Sequence, residues 1–202
     1  SKSSIKNGIG TIITMMIGHN CPERYPRLDT KPGSPVLSVE RLSSAPALVD
    51  VSFRLHQGEI LGLTGLMGSG RTRLANCLFG VNRPAGGVIR IGGEAVKFRH
   101  PAGALTRGIA MIPEDRARNA IFDRQDALCN LVTAALERFN TRAGLNPHYM
   151  EELSNEYFKS FGVAPNSLYG LINLFSGGNQ QKSVIARWMM SMARIFIMDE
   201  PT

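Results

Sequence analysis

The sequence has few cysteines and no long hydrophobic run. Its three cysteines, Cys21, Cys77 and Cys129, lie far apart without a C-x-x-C pair, so neither a disulfide framework nor a cysteine-ligated zinc site is expected. The longest apolar stretch, 9–17, is shorter than the roughly 20 residues that a membrane-spanning helix needs. We therefore predict a protein of a reducing, cytosolic setting with no segment that crosses a bilayer.

Acidic residues are also scarce relative to basic ones. The 202 residues include 16 Asp and Glu against 23 Lys and Arg, which gives a net charge of +7. This charge favours an anionic partner, which could be a nucleotide, a nucleic acid or an anionic membrane surface. The basic residues are scattered, and only Arg116, Arg118 and Arg124 lie close together, which disfavours a nucleic-acid-binding stripe.

The proline distribution divides the chain. Five prolines and glycines fall between residues 21 and 35, a density that disrupts helices and removes hydrogen-bond donors from strands, so we predict a linker there. Residues 1–20 would then belong to a preceding domain or to an expression remnant. The remaining residues, 36–202, are enough for one sizeable domain.

Hydrophobic periodicity predicts a mixture of strands and helices after the linker. Alternating segments indicate a half-exposed antiparallel sheet, two runs around a glycine pair indicate a hairpin, and spacing of three to four residues indicates helices. Nearly continuous apolar runs are typical of strands that are covered on both faces. The predicted elements are strands at 36–39, 49–55 and 108–112, a hairpin at 86–98, buried strands at 59–64 and 194–198, and helices within 127–161 around a loop at 140–147.

A glycine-rich stretch follows the first predicted buried strand. Residues 65–72 read GLMGSGRT, which matches G-x-x-x-x-G-[K/R]-[ST] directly before a predicted helix at 73–79. Glycines let successive N–H groups converge on phosphate oxygens, and a helix N-terminus adds partial positive charge. Arg71 replaces the usual lysine with a planar fork, and Thr72 is a candidate Mg²⁺ ligand. The candidate phosphate-binding residues are Gly65, Gly68, Ser69, Gly70, Arg71 and Thr72.

Two further motifs lie near the C-terminal end of the sequence. Asp199 and Glu200 end a predicted strand, and because neighbouring side chains on a strand point apart, the two acids should do different work. Asp199 can hold a metal ion, and Glu200 can polarise an attacking water. Some twenty residues earlier, a serine and two glycines open a helical pattern, which is again an anion-binding arrangement. These residues are Ser176, Gly177 and Gly178.

Together, these motifs resemble ATP-binding cassette (ABC) proteins. The strings GLMGSGRT at 65–72, PEDR at 113–116 and FSGGNQQK at 175–182 are similar to those of the second, C-terminal cassette of bacterial importers for ribose, galactose, xylose and related simple sugars. The resemblance covers 36–202 and implies an α/β fold of the P-loop NTPase type. That fold has a mixed sheet core, an antiparallel β subdomain and a helical subdomain at about 123–190.

The resemblance also implies roles for the motifs. ATP and Mg²⁺ would lie between the Walker motifs of one cassette (65–72, Asp199 and Glu200) and the signature serine and glycines of another cassette, of the same or a second chain, packed head to tail. Glu114, at the Q-loop position, would sense metal or water as a second catalytic residue. Residues 1–20 would end a first cassette. The chain would stop after the Walker B motif, before the last strands, so we expect this piece alone to be inactive.

The sequence is compatible with three functions. The first is an ATPase that powers monosaccharide uptake at the cytoplasmic face of the inner membrane, where it is bound to permease subunits and served indirectly by a sugar-binding protein. The second is a regulatory cassette that completes a partner's ATP site and hydrolyses slowly or not at all, because Arg71 and Glu114 depart from the common pattern. The third, an ABC ATPase acting on DNA or ribosomes, is disfavoured by the strings at 113–116 and 176–182, so no nucleic-acid partner is expected.

Overall fold

The computed structural model describes residues 31–164 and 167–199, except for the side chains of residues 116 and 117. Contacts group Gly33–Thr202 into one compact unit. The predicted tail at 1–20 and most of the predicted linker lie outside the described residues, so both stay predictions.

The described chain contains strands and helices in alternation. The strands are β1 (Pro35–Ser44), β2 (Leu48–His56), β3 (Gly86–Ile91), β4 (Glu94–Val96), β5 (Ile109–Ile112), β6 (Asn140–Thr141), β7 (Gly144–Leu145) and β8 (Ile195–Met198). The α-helices are α1 (Arg71–Phe79), α2 (Pro101–Thr106), α3 (Arg116–Asn119), α4 (Ala127–Val132), α5 (Pro147–Ser160) and α6 (Gly177–Met190), and short 3₁₀ helices cover Leu136–Phe139 and Ile172–Leu174. The predicted α/β class is confirmed.

The antiparallel sheet has the order β2-β1-β3-β4. In β2, the exposed residues Ser52 and Arg54 alternate with half-buried Val51, Phe53 and Leu55, as the period of two predicted. The predicted hairpin is also confirmed, because β3 and β4 pair antiparallel about Gly92 and Gly93.

A separate parallel pair joins β5 to β8, with Ile109 opposite Ile195 and Ile112 opposite Met198. The apolar face of α1 packs into one core with both sheets. Its buried residues include Leu74, Cys77 and Leu78 of α1, Val39 of β1, Ile89 of β3, Ile109 of β5 and Ile195 of β8. This core therefore fixes α1, the helix that the glycine-rich turn begins, against both the antiparallel sheet and the parallel pair.

The predicted helical region forms a second core. Helices α4, α5 and α6 bury Leu131, Phe158 and Met190 completely, together with Phe139 from the 3₁₀ helix. Asp126 and Asn146 begin α4 and α5 with side-chain caps, as short polar residues commonly do. The predicted loop at 140–147 is confirmed in position, although it contains the small hairpin β6–β7.

The buried strand predicted at 59–64 is wrong. These residues form no regular structure, and Ile60 and Leu63 are 96% and 50% exposed. A buried strand needs hydrogen-bonding neighbours for its backbone, and no described strand pairs with this segment. Glu59 instead accepts a hydrogen bond from the backbone N–H of His56 at 2.7 Å, which is the main reason why the pKa of its carboxyl is lowered.

The second predicted buried strand is only partly confirmed. β8 occupies the predicted place, but only its first residue, Ile195, is buried, while Met198 is 53% exposed. In the described part of the chain β5 is the only strand that pairs with β8, so the end of β8 has less cover than an apolar run suggests.

Gly80 gives a direct test of this packing. It ends α1 with φ +80, its N–H bonds to the carbonyls of Asn76 and Cys77, and an added Cβ would lie 2.7 Å from the Cβ of Phe98. We expect Gly80→Ala to lower the free energy of unfolding by about 2–4 kcal/mol, because backbone strain and overlap add together.

Gly92→Ala is the matched control in denaturant titrations. Gly92 also has positive φ (+56), but nothing lies within 4 Å of an added Cβ. It should cost about 1 kcal/mol from backbone strain alone. Equal losses for the two variants would contradict the packing described here.

Candidate nucleotide-binding site

The predicted phosphate loop forms a tight turn at the start of α1. Gly68 and Gly70 have φ of +80 and +93, a region that favours glycine. The N–H of Ser69 donates to the carbonyl of Leu66 at 3.0 Å, and the N–H of Leu74 donates to that of Gly70 at 2.8 Å. The helix therefore begins inside the motif, two residues before the predicted start at residue 73.

Close contacts explain two of the glycines. An added Cβ on Gly65 would lie 2.6 Å from the hydroxyl oxygen of Ser69, and one on Gly70 would lie 3.1 Å from the carbonyl oxygen of Ala47. The β1–β2 turn thus rests against the phosphate loop, so larger residues at these glycines would displace either the loop or the turn.

Arg73 fixes this turn, a role that sequence reasoning missed. Its Nη1 donates to the hydroxyl of Ser44 at 3.2 Å and to the carbonyl of Ala45 at 2.5 Å. Both acceptors lie nearly thirty residues earlier in the chain, and one is a backbone atom, so no local pattern could have indicated them.

The loop and the first turn of α1 line an open concavity. Its lining residues are Gly68, Ser69, Gly70, Arg71, Thr72 and Arg73. The first-turn N–H groups of a helix have no acceptor within the helix, and the helix dipole makes this end partly positive. With two arginines beside them, these groups form a surface suited to an anion.

Two carboxylates follow the ends of the parallel strands. Ile112 and Met198 are paired as the last residues of β5 and β8, and the N–H of Asp199 donates to the carbonyl of Ile112 at 2.9 Å. Glu114 follows Ile112 by two residues. Because parallel strands end at the same sheet edge, the structure brings Glu114 and Asp199 to one edge.

Asp199 is suited to a metal ion. Asp199 is only 8% exposed, and its Oδ2 has no hydrogen-bond partner among the described residues. A buried carboxylate oxygen without a partner is costly, and Mg²⁺ would satisfy it. Within 31–164 and 167–199, no three His, Cys, Asp or Glu side chains cluster into a metal site, so the binding of Mg²⁺ at Asp199 stays a prediction. That Thr72 shares this ion stays a prediction.

The Glu114 side chain is exposed, whereas its neighbour Asp115 has a structural role. The Asp115 Oδ1 accepts from the N–H of Arg118 at 3.1 Å, which caps the short helix α3. Glu200 lies outside the described residues, so its role as the general base stays a prediction.

The predicted serine–glycine motif begins α6. The Ser176 hydroxyl caps the helix by accepting from the N–H of Asn179 at 3.4 Å. Ser176, Gly177 and Gly178 are all exposed, and nothing lies within 4 Å of a Cβ added to Gly178. The N-terminus of α6 is therefore open to an anionic group from outside this unit.

The polar residues after these glycines hold α6 in place. The Asn179 amide bonds both the N–H and the carbonyl of Ala164, and Lys182 donates to the carbonyl of Gly162 at 2.9 Å. Gln180 donates to the carbonyls of Ile172 and Phe175. The string NQQK at 179–182 thus anchors the start of the helix, a function that spacing alone did not predict.

The fold and the phosphate loop define a P-loop domain of the ATP-binding cassette type. A sequence profile described as ABC transporter matches residues 48–202, and the chain belongs to this family. Two solved cassettes have the same fold. One, a dimer in a post-hydrolysis state bound to ADP and Pi, has a TM-score of 0.68 at 21% identity and covers 82% of this chain and 74% of its own. The other, a nucleotide-free cassette from an ABC transporter, has a TM-score of 0.64 at 20% identity and covers 84% and 70%.

Curated relatives are closer in sequence. The ribose import ATP-binding protein RbsA of Cereibacter sphaeroides is 36% identical over 98% of this chain and 39% of its own length. A putative ribose/galactose/methyl galactoside import ATP-binding protein of Ralstonia nicotianae is 40% identical over 95% of this chain and 37% of its own length. The chain thus spans about two fifths of the length of these relatives.

Replacement of Asp199 is expected to stabilise the protein when no metal is bound. In the absence of metal, Asp199→Asn should raise the free energy of unfolding by about 1 kcal/mol, because it removes a buried charge whose Oδ2 lacks a partner. The measurement is denaturant unfolding in chelator at neutral pH. Asp123→Asn, at an exposed carboxylate, should change nothing. Destabilisation by Asp199→Asn under these conditions would argue that the carboxylate is already satisfied in the protein.

Proposed function

We propose that the longer protein to which this cassette belongs binds and hydrolyses ATP to energise uptake of a monosaccharide. The observation that carries the proposal is the glycine turn at the N-terminus of α1, whose residues Gly68–Arg73 line an anion-binding concavity. The sugar-import names of the relatives support the transport role.

The residues divide the chemistry among them. The backbone of residues 65–72 and the Arg71 fork hold the β- and γ-phosphates. Hydrogen bonds between a guanidinium and a phosphate are charge-assisted and therefore stronger than those between neutral groups. Thr72 and Asp199 hold Mg²⁺, which when bound neutralises the charge that develops on the phosphate oxygens. Glu200 accepts a proton from the attacking water, and Glu114 orients water or metal from the neighbouring strand end.

The second half of the site comes from another cassette. Ser176, Gly177 and Gly178 are exposed at the start of α6, so they can face a nucleotide held by the phosphate loop of a partner packed head to tail. The partner is the first cassette of the same chain or of a second chain.

Membrane attachment is peripheral in this proposal. None of the described helices is both long enough and apolar enough to span a bilayer. In this proposal permease subunits carry the sugar across the inner membrane, with the cassette at their cytoplasmic face and a sugar-binding protein delivering the substrate.

A regulatory cassette is the second candidate, because of two specific residues. Arg71 spreads its charge over a fork, unlike the compact ammonium of lysine. Glu114 adds a negative charge at the edge that carries Asp199. These two departures from the common cassette pattern would slow phosphoryl transfer. ATP could still bind, and the cassette could still complete the ATP site of its partner.

Single-turnover hydrolysis by the longer protein separates these two functions. Glu200→Gln in this cassette should slow hydrolysis at this site by about 10²- to 10⁴-fold, because a general base is lost, while ATP binding persists. Glu152→Gln, at an exposed carboxylate of α5, is the control. An unchanged rate for Glu200→Gln would favour the regulatory function.

Arg71 tests the phosphate contact itself. Arg71→Met should weaken ATP binding about tenfold or more, because a charge-assisted contact to phosphate is lost. Arg83→Met, at an exposed arginine, is the matched control in calorimetric titrations. Equal affinities for ATP in both variants would contradict the assigned role of Arg71.

A further inference from the structure

We propose that Arg187 is a positioning residue that ties the segment after Glu114 to helix α6, so that movement near Glu114 reaches the exposed glycines at the start of that helix. The functional meaning of this tie rests on the function proposed above. The tie itself rests on the hydrogen bonds of the Arg187 guanidinium.

Arg187 is almost completely buried, at 6% exposure. Its Nη1 donates to the carbonyl of Ala120 at 2.5 Å, its Nε donates to the carbonyl of Asn130, and its Nη2 donates to the Asn130 Oδ1 at 3.0 Å. Its guanidinium carbon also lies 5.6 Å from the centre of the Phe122 ring. One side chain of α6 thus binds both ends of the stretch from Ala120 to Asn130.

Asn130 extends the tie through the loop that it closes. Its Oδ1 accepts from the N–H of Phe122 at 3.0 Å, and its Nδ2 donates to the carbonyls of Phe122 at 3.0 Å and of Asp126 at 2.9 Å. Asn130 is 1% exposed. The loop before α4 is therefore held by a buried network whose centre is the Arg187 fork.

The chemistry of this network favours a positional role over a stabilising one. Within 31–164 and 167–199, no carboxylate lies within ion-pairing distance of Arg187. Burial lowers its pKa to about 10, so the side chain still carries its charge at neutral pH. Burying a cation without a counter-ion costs desolvation energy, so stability alone is a weak reason for an arginine at this position. The planar fork instead serves three acceptors at fixed, separated positions, a geometry that the compact ammonium of lysine does not match.

The residue next to Arg187 connects the same turn of α6 to the phosphate-loop helix. The Trp188 ring packs edge-on against that of Phe79 in α1, with centroids 5.8 Å apart, and it adjoins the small cluster of Ile112, Ala120 and Val184. Residues 187 and 188 therefore link α6 both to the segment after β5 and to α1.

Arg138 provides a matched control. Its Nη1 donates to the carbonyl of Met190 at 2.7 Å, so it also binds α6 through a backbone carbonyl. It belongs to the 3₁₀ helix Leu136–Phe139 and makes no described hydrogen bond to the stretch 113–126.

The first arm of the test needs no nucleotide. Hydrogen exchange of the longer protein is measured for wild type, Arg187→Met, Arg187→Lys and Arg138→Met. Both Arg187 variants should speed exchange of amides in 120–126 by about tenfold or more relative to Arg138→Met. Without the Arg187 hydrogen bonds, local opening of this stretch costs less free energy. Unchanged exchange in this stretch would overturn the proposal. Arg187→Lys retains the charge and serves as the test if Arg187→Met does not fold.

The second arm measures transmission. Nucleotide binding by the other cassette is first abolished, so that ATP acts only through this cassette's phosphate loop. In wild type and Arg138→Met, added ATP should then slow exchange both in 113–126 and in the first turn of α6. In Arg187→Lys, ATP should still slow exchange in 113–126, while its effect at the start of α6 falls by about tenfold. A full ATP effect at α6 in that variant would overturn the proposal. No ATP effect anywhere in wild type would instead reject the proposed function, and the first arm would still decide the tie.

Discussion

The packing of α1 is the constraint on which the site depends. Leu74, Cys77 and Leu78 bury one face of this helix in a core shared by the antiparallel sheet and the parallel pair. A helix N-terminus can bind an anion only where its position and direction are fixed. Burial of this face, together with the contacts of the β1–β2 turn with Gly70 and Arg73, provides that restraint. The position of the phosphate loop therefore depends on the apolar packing of α1.

Elements with a local cause could be predicted from the sequence. The hairpin about Gly92 and Gly93, the alternation in β2 and the glycine turn before α1 follow from neighbouring residues. The segment 59–64 could not be predicted, because an apolar run becomes a buried strand only when other strands pair with it. Its composition is the same whether or not such neighbours are present, and in the described chain it is exposed.

Side chains that bind distant backbone carbonyls were also beyond prediction. Arg73, Asn179 and Arg187 each bind a segment that is distant in sequence. Every residue type has a backbone carbonyl, so the residue type does not indicate which carbonyl will accept the bond. The sequence predicts Glu114 and Asp199 as site residues, and the pairing of β5 with β8 adds that they lie at one sheet edge.

Asp199 and Arg187 both place an ionisable group in a buried position. Asp199 has a carboxylate oxygen without a partner, whereas the Arg187 guanidinium is satisfied by neutral oxygens alone. The first arrangement calls for a ligand, and the second calls for fixed geometry. Proteins commonly keep such costly groups where function requires them.

The affinity of the longer protein for ATP, measured by calorimetry with and without Mg²⁺, tests the central claim most directly when wild type is compared with Asp199→Asn. Mg²⁺ should strengthen ATP binding to wild type by about tenfold or more and have little effect on the variant. The same gain from Mg²⁺ in both proteins would show that Asp199 and the loop before α1 do not share one metal-bound nucleotide.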